Sequence, residues 1–194
     1  MPELFKLERH GDTSVLRLTS SDGTNRLTSE RVLALTDCFR QLARDPLPLV
    51  LAGNSKFFSA GADLTEIAAL TGPLAYEFSC MGQELMTRVE QFPAPVCAAI
   101  HGYCMGGGLD LALACHRRFA SPHAIFGHRG AALGLITGWG GTQRLPRLVG
   151  KARALEIFVT AEKLHALEAL RLGLIESVDE DPLTAALRWL RRPS

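Results

Sequence analysis

Long apolar runs are missing from this sequence: none approaches the roughly 20 residues that a membrane-spanning helix needs. The N-terminal stretch MPELFKLERHGD is charged and carries no apolar core of the kind a secretory signal requires, which predicts a cytoplasmic protein. An excess of one charge sign is also missing. Lysine and arginine number 21 against 20 acids, for a formal net charge of +1, so the balance offers no basic face to nucleic acid or to an anionic membrane. Cysteine is sparse and unpatterned: Cys38, Cys80, Cys97, Cys104 and Cys115 make an odd count of five without a CxxC spacing. That excludes a disulfide framework or a zinc site and predicts reduced, mostly buried thiols, with no metal. Repeats, low-complexity tracts and linkers are absent. So are GxGxxG with a downstream acid and GxxxxGK[ST], which argues against dinucleotide and P-loop sites.

What is present can bury one sizeable core. The chain has 194 residues, 47% of them hydrophobic, and reads as one domain over 1–194, with a body to about 178 and a short helical segment over 179–194. Alternation over Leu4–Glu8, a His10-Gly11-Asp12 turn and SVLRL predict a hairpin. Thr28 or Ser29 caps a helix with apolar positions Val32, Leu35, Cys38, Phe39 and Leu42, ending before Pro46. LPLVLAG (47–53) and PVCAAI (95–100) read as buried strands. NSKFFSAGAD (54–63) between them reads as loop, and a helix runs from about Pro73 to Gln91. Beyond the 104–110 glycines a helix extends to about Cys115. RRFAS and AIFG give short strands, and helices follow over 139–149, 151–160 and 165–173. LIESV adds a strand and 182–192 a last helix. Strands alternating with helices imply an α/β layered fold with right-handed crossovers.

Two segments share one design. FSAGAD (58–63) and CMGGGLD (104–110) each follow an apolar strand and put small residues where a loop or helix begins. Glycine allows close approach of backbone to a ligand, and the unpaired N–H groups of a helix start favour an anion. Two such donors on one oxygen would form an oxyanion hole. Close packing alone is the alternative reading of the same glycines.

FFSAGADL, AAIHGYCMGGGLDLALAC, FGHRGAALGLITGWGGTQRLPRLVG and KARALEIFVTAEKLHALEALRLGLIESV, in this order and spacing, resemble the crotonase family of enoyl-CoA hydratases and isomerases over residues 12–180. The resemblance implies a spiral of ββα turns with stacked, roughly perpendicular sheets, here with a shortened C-terminal helical region, assembled as a homo-oligomer, a trimer or dimer of trimers. It implies an acyl-CoA substrate, coenzyme A arriving as part of the thioester and no tightly bound cofactor. The enolate donors fall on Ala62 and Gly107. Ala60, Gly61, Asp63, Leu64 and Gly106 flank them along the pantetheine path, Trp139 and Thr137 face the acyl pocket, and Arg26 lies at the nucleotide end with Lys56 nearby. Arg26 and Lys56 meet a CoA phosphate or are simply solvated.

The departures concern acid/base residues. The family's two hydratase glutamates fall on Asp110, one methylene shorter, and on Gly130, which has no side chain. Two-carboxylate handling of water is therefore absent. The dienoyl-CoA isomerase branch shares an aspartate at the first position, but its further acids fall on Gly130 and Gly138. Asp110 stands as a single acid/base or as a helix cap. His128, Arg129 and His101 are the other nearby groups with proton chemistry. His116 is read as packing against the core or a subunit contact, and Glu66 and Glu84 as surface residues. The sequence also stops soon after the GLIESV-like strand, where the family continues with helices over the acyl pocket. Two functions follow: an acyl-CoA enzyme with an oxyanion hole and one base, or a catalytically impaired binder of CoA thioesters or oligomer partner.

Overall fold

A computed structural model describes residues 3–191; Met1, Pro2 and residues 192–194, which include the final residue of the helix expected over 182–192, lie outside the described residues. The N-terminal hairpin forms as its alternation predicts, β1 (Phe5–His10) antiparallel to β2 (Thr13–Leu18), closed by Gly11 in the left-handed region. Helix α1 (Ser29–Leu42) starts where Thr28 accepts the Arg31 N–H at 3.2 Å, and its apolar stripe buries Val32, Leu35 and Phe39. Then come β3 (Leu49–Ala52), β4 (Phe57–Ser59), α2 (Leu64–Ala68), α3 (Gly72–Glu90), β5 (Val96–Ile100), β6 (Tyr103–Met105) and α4 (Gly107–Ala114). β7 (Arg117–Ala120), β8 (Ile125–Gly127), a 3₁₀ turn (Gly130–Leu133), α5 (Gly141–Val149) and α6 (Lys151–Thr160) follow. The chain continues with β9 (Leu164–His165), α7 (Ala166–Arg171), β10 (Ser177–Val178) and α8 (Pro182–Leu190).

The strands form two sheets, in the orders β1-β2-β3-β5-β7-β10 and β4-β6-β8-β9. From β2 to β10 the larger sheet is parallel; in the smaller one β4, β6 and β8 are parallel and β9 is antiparallel. Each passage of the chain lays one strand in each sheet and then a helix: β3–β4 before α2 and α3, β5–β6 before α4, β7–β8 before α5 and α6. This is the mixed α/β fold of ββα turns that the resemblance implies.

Parallel strands covered on both faces read as continuous apolar runs, as LPLVLA and PVCAAI do. Alternate side chains divide between two cores. Leu49, Leu51, Val96, Ala98 and Ile100 face the main core. Val50, Ala52, Cys97, Ala99 and Phe119 face the opposite way, under α8. Five elements differ from the sequence expectation. Segment 54–63 is not all loop but contains β4, and β6, β9, α2 and the 3₁₀ turn were not expected. Each is two to five residues long, too short to establish a hydrophobic period.

Candidate active site

The loop after β4 is tied down by a buried asparagine. Asn25 sits in the left-handed region at φ 51°. Its Nδ2 donates to the Phe57 and Phe58 carbonyls at 3.1 and 3.3 Å, and its carbonyl accepts Ser59 Oγ at 2.7 Å. The Ala60 N–H donates to the Thr24 carbonyl at 2.9 Å, the Gly61 N–H to Ser59 Oγ at 3.1 Å, and the Leu27 N–H to the Gly61 carbonyl at 2.8 Å. In the sequence, Asn25 lies in SSDGTN, between the SVLRL strand and the Thr28 cap, a stretch that reads as plain loop. An asparagine following Gly-Thr in a turn, where left-handed geometry is tolerated, was the available signal.

β6 brings the second loop alongside. The Gly106 N–H donates to the Gly127 carbonyl at 2.9 Å, and both Gly61 (φ 93°) and Gly106 (φ 51°) adopt left-handed backbone. The loops touch: a Cβ on Gly61 would lie 3.1 Å from the Gly107 nitrogen, and one on Gly107 would lie 3.3 Å from the Ala62 nitrogen. Among the described residues, neither the Ala62 nor the Gly107 N–H donates a hydrogen bond. Two free donors thus meet at the first turn of α4, where the helix macrodipole adds to their field. Close approach accounts for the neighbouring glycine as well, since a Cβ on Gly108 would meet Ser59 at 2.7 Å.

Trp139 walls this corner. Its indole is buried, donates Nε1–H to the Phe78 carbonyl at 3.2 Å and packs 5.1 Å from the Phe78 ring. It fills the space next to Gly82 and Gly107.

Asp110 lies one turn along α4 from Gly107, on the same face. It does not cap its own helix: Gly106 is the N-cap and no side-chain cap bond forms. Its carboxylate, 1% exposed, instead crosses to the segment before α5. Oδ2 accepts the Thr137 hydroxyl, and Oδ1 lies 3.3 Å from His128 Nε2, in a contact that leaves both buried atoms without a well-formed hydrogen bond. Gly141, opening α5, leaves the room; its Cβ would be 2.2 Å from Oδ1 and 2.9 Å from Nε2. The imidazole packs 5.2 Å from the Phe158 ring and borders a cavity of about 430 Å³ shared with Gly130, Thr137, Leu135, Phe158 and Val159.

Gly130 opens the 3₁₀ turn, and its carbonyl accepts the Leu135 N–H at 2.9 Å. The loop closes so tightly that a Cβ there would stand 2.7 Å from the Leu135 carbonyl oxygen. The position is therefore more than a glutamate site with its acid removed.

The remaining sequence candidates are placed apart. Asp63 caps α2, accepting the Thr65 and Glu66 N–H groups at 2.8 and 3.3 Å. Burial works against the charge, but those N–H donors hold its carboxyl below the usual range. Leu64 and Lys56 are exposed. Arg26 is exposed and pairs with Asp22 at 2.9 Å. His101, whose basicity burial lowers, has Asp181 and Arg17 as charged neighbours. His116 Nδ1 accepts the Val96 N–H at 2.8 Å. Glu84 pairs with Arg88 at 2.6 Å on the surface, whereas Glu66, expected there too, is half-buried and accepts the Ser29 N–H and hydroxyl at 2.8 and 2.7 Å. Arg118 was not anticipated. Buried, it donates to the Leu174 and Cys115 carbonyls, each at 2.7 Å, and so anchors the C-terminal end of α4.

Comparison with known proteins shows what the chain is similar to in sequence and fold. Residues 10–191 match the family model described as Enoyl-CoA hydratase/isomerase. A Bacillus subtilis (strain 168) protein named "Probable enoyl-CoA hydratase" is 45% identical over 157 residues, 78% of this chain and 60% of the relative. The chain thus spans about 60% of that relative's length. "Crotonyl-CoA hydratase" of Syntrophomonas wolfei is 37% identical over 175 residues, 89% of this chain and 67% of the relative. The solved structure of Pseudomonas aeruginosa DspI superposes with a TM-score of 0.92 at 36% identity, covering 96% of this chain and 73% of that one.

Proposed function

This chain belongs to the enoyl-CoA hydratase/isomerase family, and from that premise we propose that it processes acyl-CoA thioesters through an enolate held by the Ala62 and Gly107 N–H groups. The observation that carries the reading is the pair of unspent donors: two N–H groups from separate loops, adjacent and at a helix start. Donors fixed before the reaction stabilise charge that develops on a thioester oxygen, and they need no reorganisation to do so.

The cavity that His128 and Thr137 border supports an apolar acyl group. Its volume of about 430 Å³ falls in the range of small-molecule sites, and Leu135, Ile136, Leu155, Phe158 and Val159 contribute to its walls. Coenzyme A arrives as part of the substrate, and no further cofactor is required for proton transfer next to a thioester. The proton-handling group comes from the buried Asp110–His128 pair. One such group suits movement of a proton along an enoyl chain better than addition of water, which draws on two. All five cysteines are free thiols, which supports work in a reducing compartment such as the cytoplasm. Family membership supports assembly with copies of itself, as a trimer or dimer of trimers.

A panel of enoyl-, dienoyl- and malonyl-type CoA thioesters, followed by mass spectrometry beside a calorimetric measurement of binding, tests this. Turnover of at least one enoyl thioester is expected. The closed loop at Gly130 favours a second reading, a thioester binder without chemistry. Binding with no turnover anywhere in the panel would establish that alternative.

A further inference from the structure

We propose that His128 moves the substrate proton and that Asp110 is its positioning residue, the two forming a buried carboxylate–imidazole pair that opens onto the apolar cavity. The inference rests on the thioester reading above and assigns the proton chemistry within it.

Asp110 is badly placed to touch a substrate. It is 1% exposed, does not border the cavity, and has Oδ2 engaged by the Thr137 hydroxyl. Its other oxygen points at His128 Nε2, 3.3 Å away. His128 does border the cavity. With Nε2 turned to the carboxylate, Nδ1 is the nitrogen left for a substrate proton. An acid behind a histidine fixes the ring's tautomer and orientation and stabilises the imidazolium that forms when it takes a proton.

The surroundings are built for that pairing. Phe158 packs on the ring, and Gly141 keeps open the space between the two groups, which any side chain there would fill. A buried carboxylate is costly without a partner. Besides the Thr137 hydroxyl, His128 Nε2 is the polar side-chain atom that faces it among the described residues. Two further ionisable groups bear on the pair: the buried Cys104 thiol of β6, which feels the Asp110 charge, and Lys151 of α6, which shares the cavity wall.

On a 3-enoyl thioester the step balances without a co-reactant. The imidazole takes a proton from C2, and the C–H electron pair forms a dienolate whose oxygen receives the Ala62 and Gly107 N–H groups. The imidazolium then returns the proton to C4: the C3=C4 pair makes the new C–H bond, the double bond settles between C2 and C3, and the carbonyl is restored. The histidine ends neutral.

The test uses the full chain, with 3-hexenoyl-CoA isomerisation and exchange of the C2 protons of butyryl-CoA in deuterium oxide as probes. His128→Gln retains a donor toward Asp110 but no base, and should lower kcat on the order of 100-fold while KM stays within about threefold. Added imidazole should restore part of the rate to His128→Ala and none to Asp110→Asn. Should His128→Ala fail to fold by circular dichroism, the kcat-against-KM split of His128→Gln decides. Wild-type exchange matched by a folded His128→Gln overturns the assignment and leaves the enolate reading intact. A wild-type protein that binds butyryl-CoA but neither exchanges nor isomerises overturns both.

Discussion

Trp139 occupies the space that a side chain on Gly107 would need: a Cβ there would lie 2.5 Å from the Trp139 ring. The glycine at the N–H donor position and the tryptophan beside it are therefore one packing unit. Gly107→Ala should destabilise the protein by about 1–3 kcal/mol through overpacking, and Trp139→Ala by about 3–5 kcal/mol through the void it leaves. Because the second change makes room for the first, the double variant should be more stable than the sum of its parts predicts, by about 1 kcal/mol or more in a urea-denaturation cycle. Additive effects would mean the ring does not rest on Gly107.

Arg118 holds the other end of the same helix. Its buried guanidinium donates to carbonyls of α4 and of the segment before β10, and among the described residues no acid pairs with it. Arg118→Met keeps the apolar stem but strands those carbonyls, and a loss of roughly 2–4 kcal/mol is expected in urea denaturation. Arg118→Lys should recover less than half of the loss, since an ammonium cannot reproduce the fork that spans two chain segments. Wild-type stability in Arg118→Met would remove the anchoring role.

The parts of the fold with a period were legible. The hairpin alternates, Thr28 precedes an apolar stripe, and the doubly covered strands are unbroken apolar runs. The glycine loops were legible because two segments of small residues after strands, one opening a loop and one a helix, pointed to N–H groups free for a ligand. What could not be read depends on contacts through space. Asp110 and His128 meet because β6 and β8 pair in parallel, with Cys104 opposite Phe126, which sets the residue after β8 beside α4. No local pattern in either segment records that register. Likewise Gly130 reads in sequence as a missing acid, and only the fold of the 3₁₀ turn against Leu135 reveals a position that requires a glycine.

That packing decides what restoring the acid would do. Gly130→Glu should not create a second carboxylate for water, because the new side chain starts against the Leu135 carbonyl oxygen at 2.7 Å. The expected outcome is crotonyl-CoA hydration at the wild-type level and a loss of about 1–3 kcal/mol in thermal or urea unfolding as the turn is displaced. A variant as stable as wild type with a rise in hydration rate would show that the loop accommodates the acid.

The buried thiols give the protein an alkaline limit. Burial pushes Cys97 from an ordinary value of 9.0 up to about 12 and raises Cys104 and Cys115 too. In the unfolded chain these thiols ionise above pH 9, while in the folded protein they keep their protons, so the native state binds more protons there. The sign follows: their contribution is complete below pH 9 and is lost as pH rises toward 12, at up to about 1.4 kcal/mol per pH unit for each thiol that ionises only on unfolding. Urea denaturation between pH 7 and 11 should show this decline, and Cys97→Ala should make it shallower by the share of one thiol. A thiol-specific chromogenic reagent supplies the companion measurement. Exposed Cys80 should react first in the native protein and disappear from the fast phase in Cys80→Ser, while Cys97, Cys104 and Cys115 react only on unfolding. Fast reaction of all five thiols in the folded protein would contradict the burial that sets the limit.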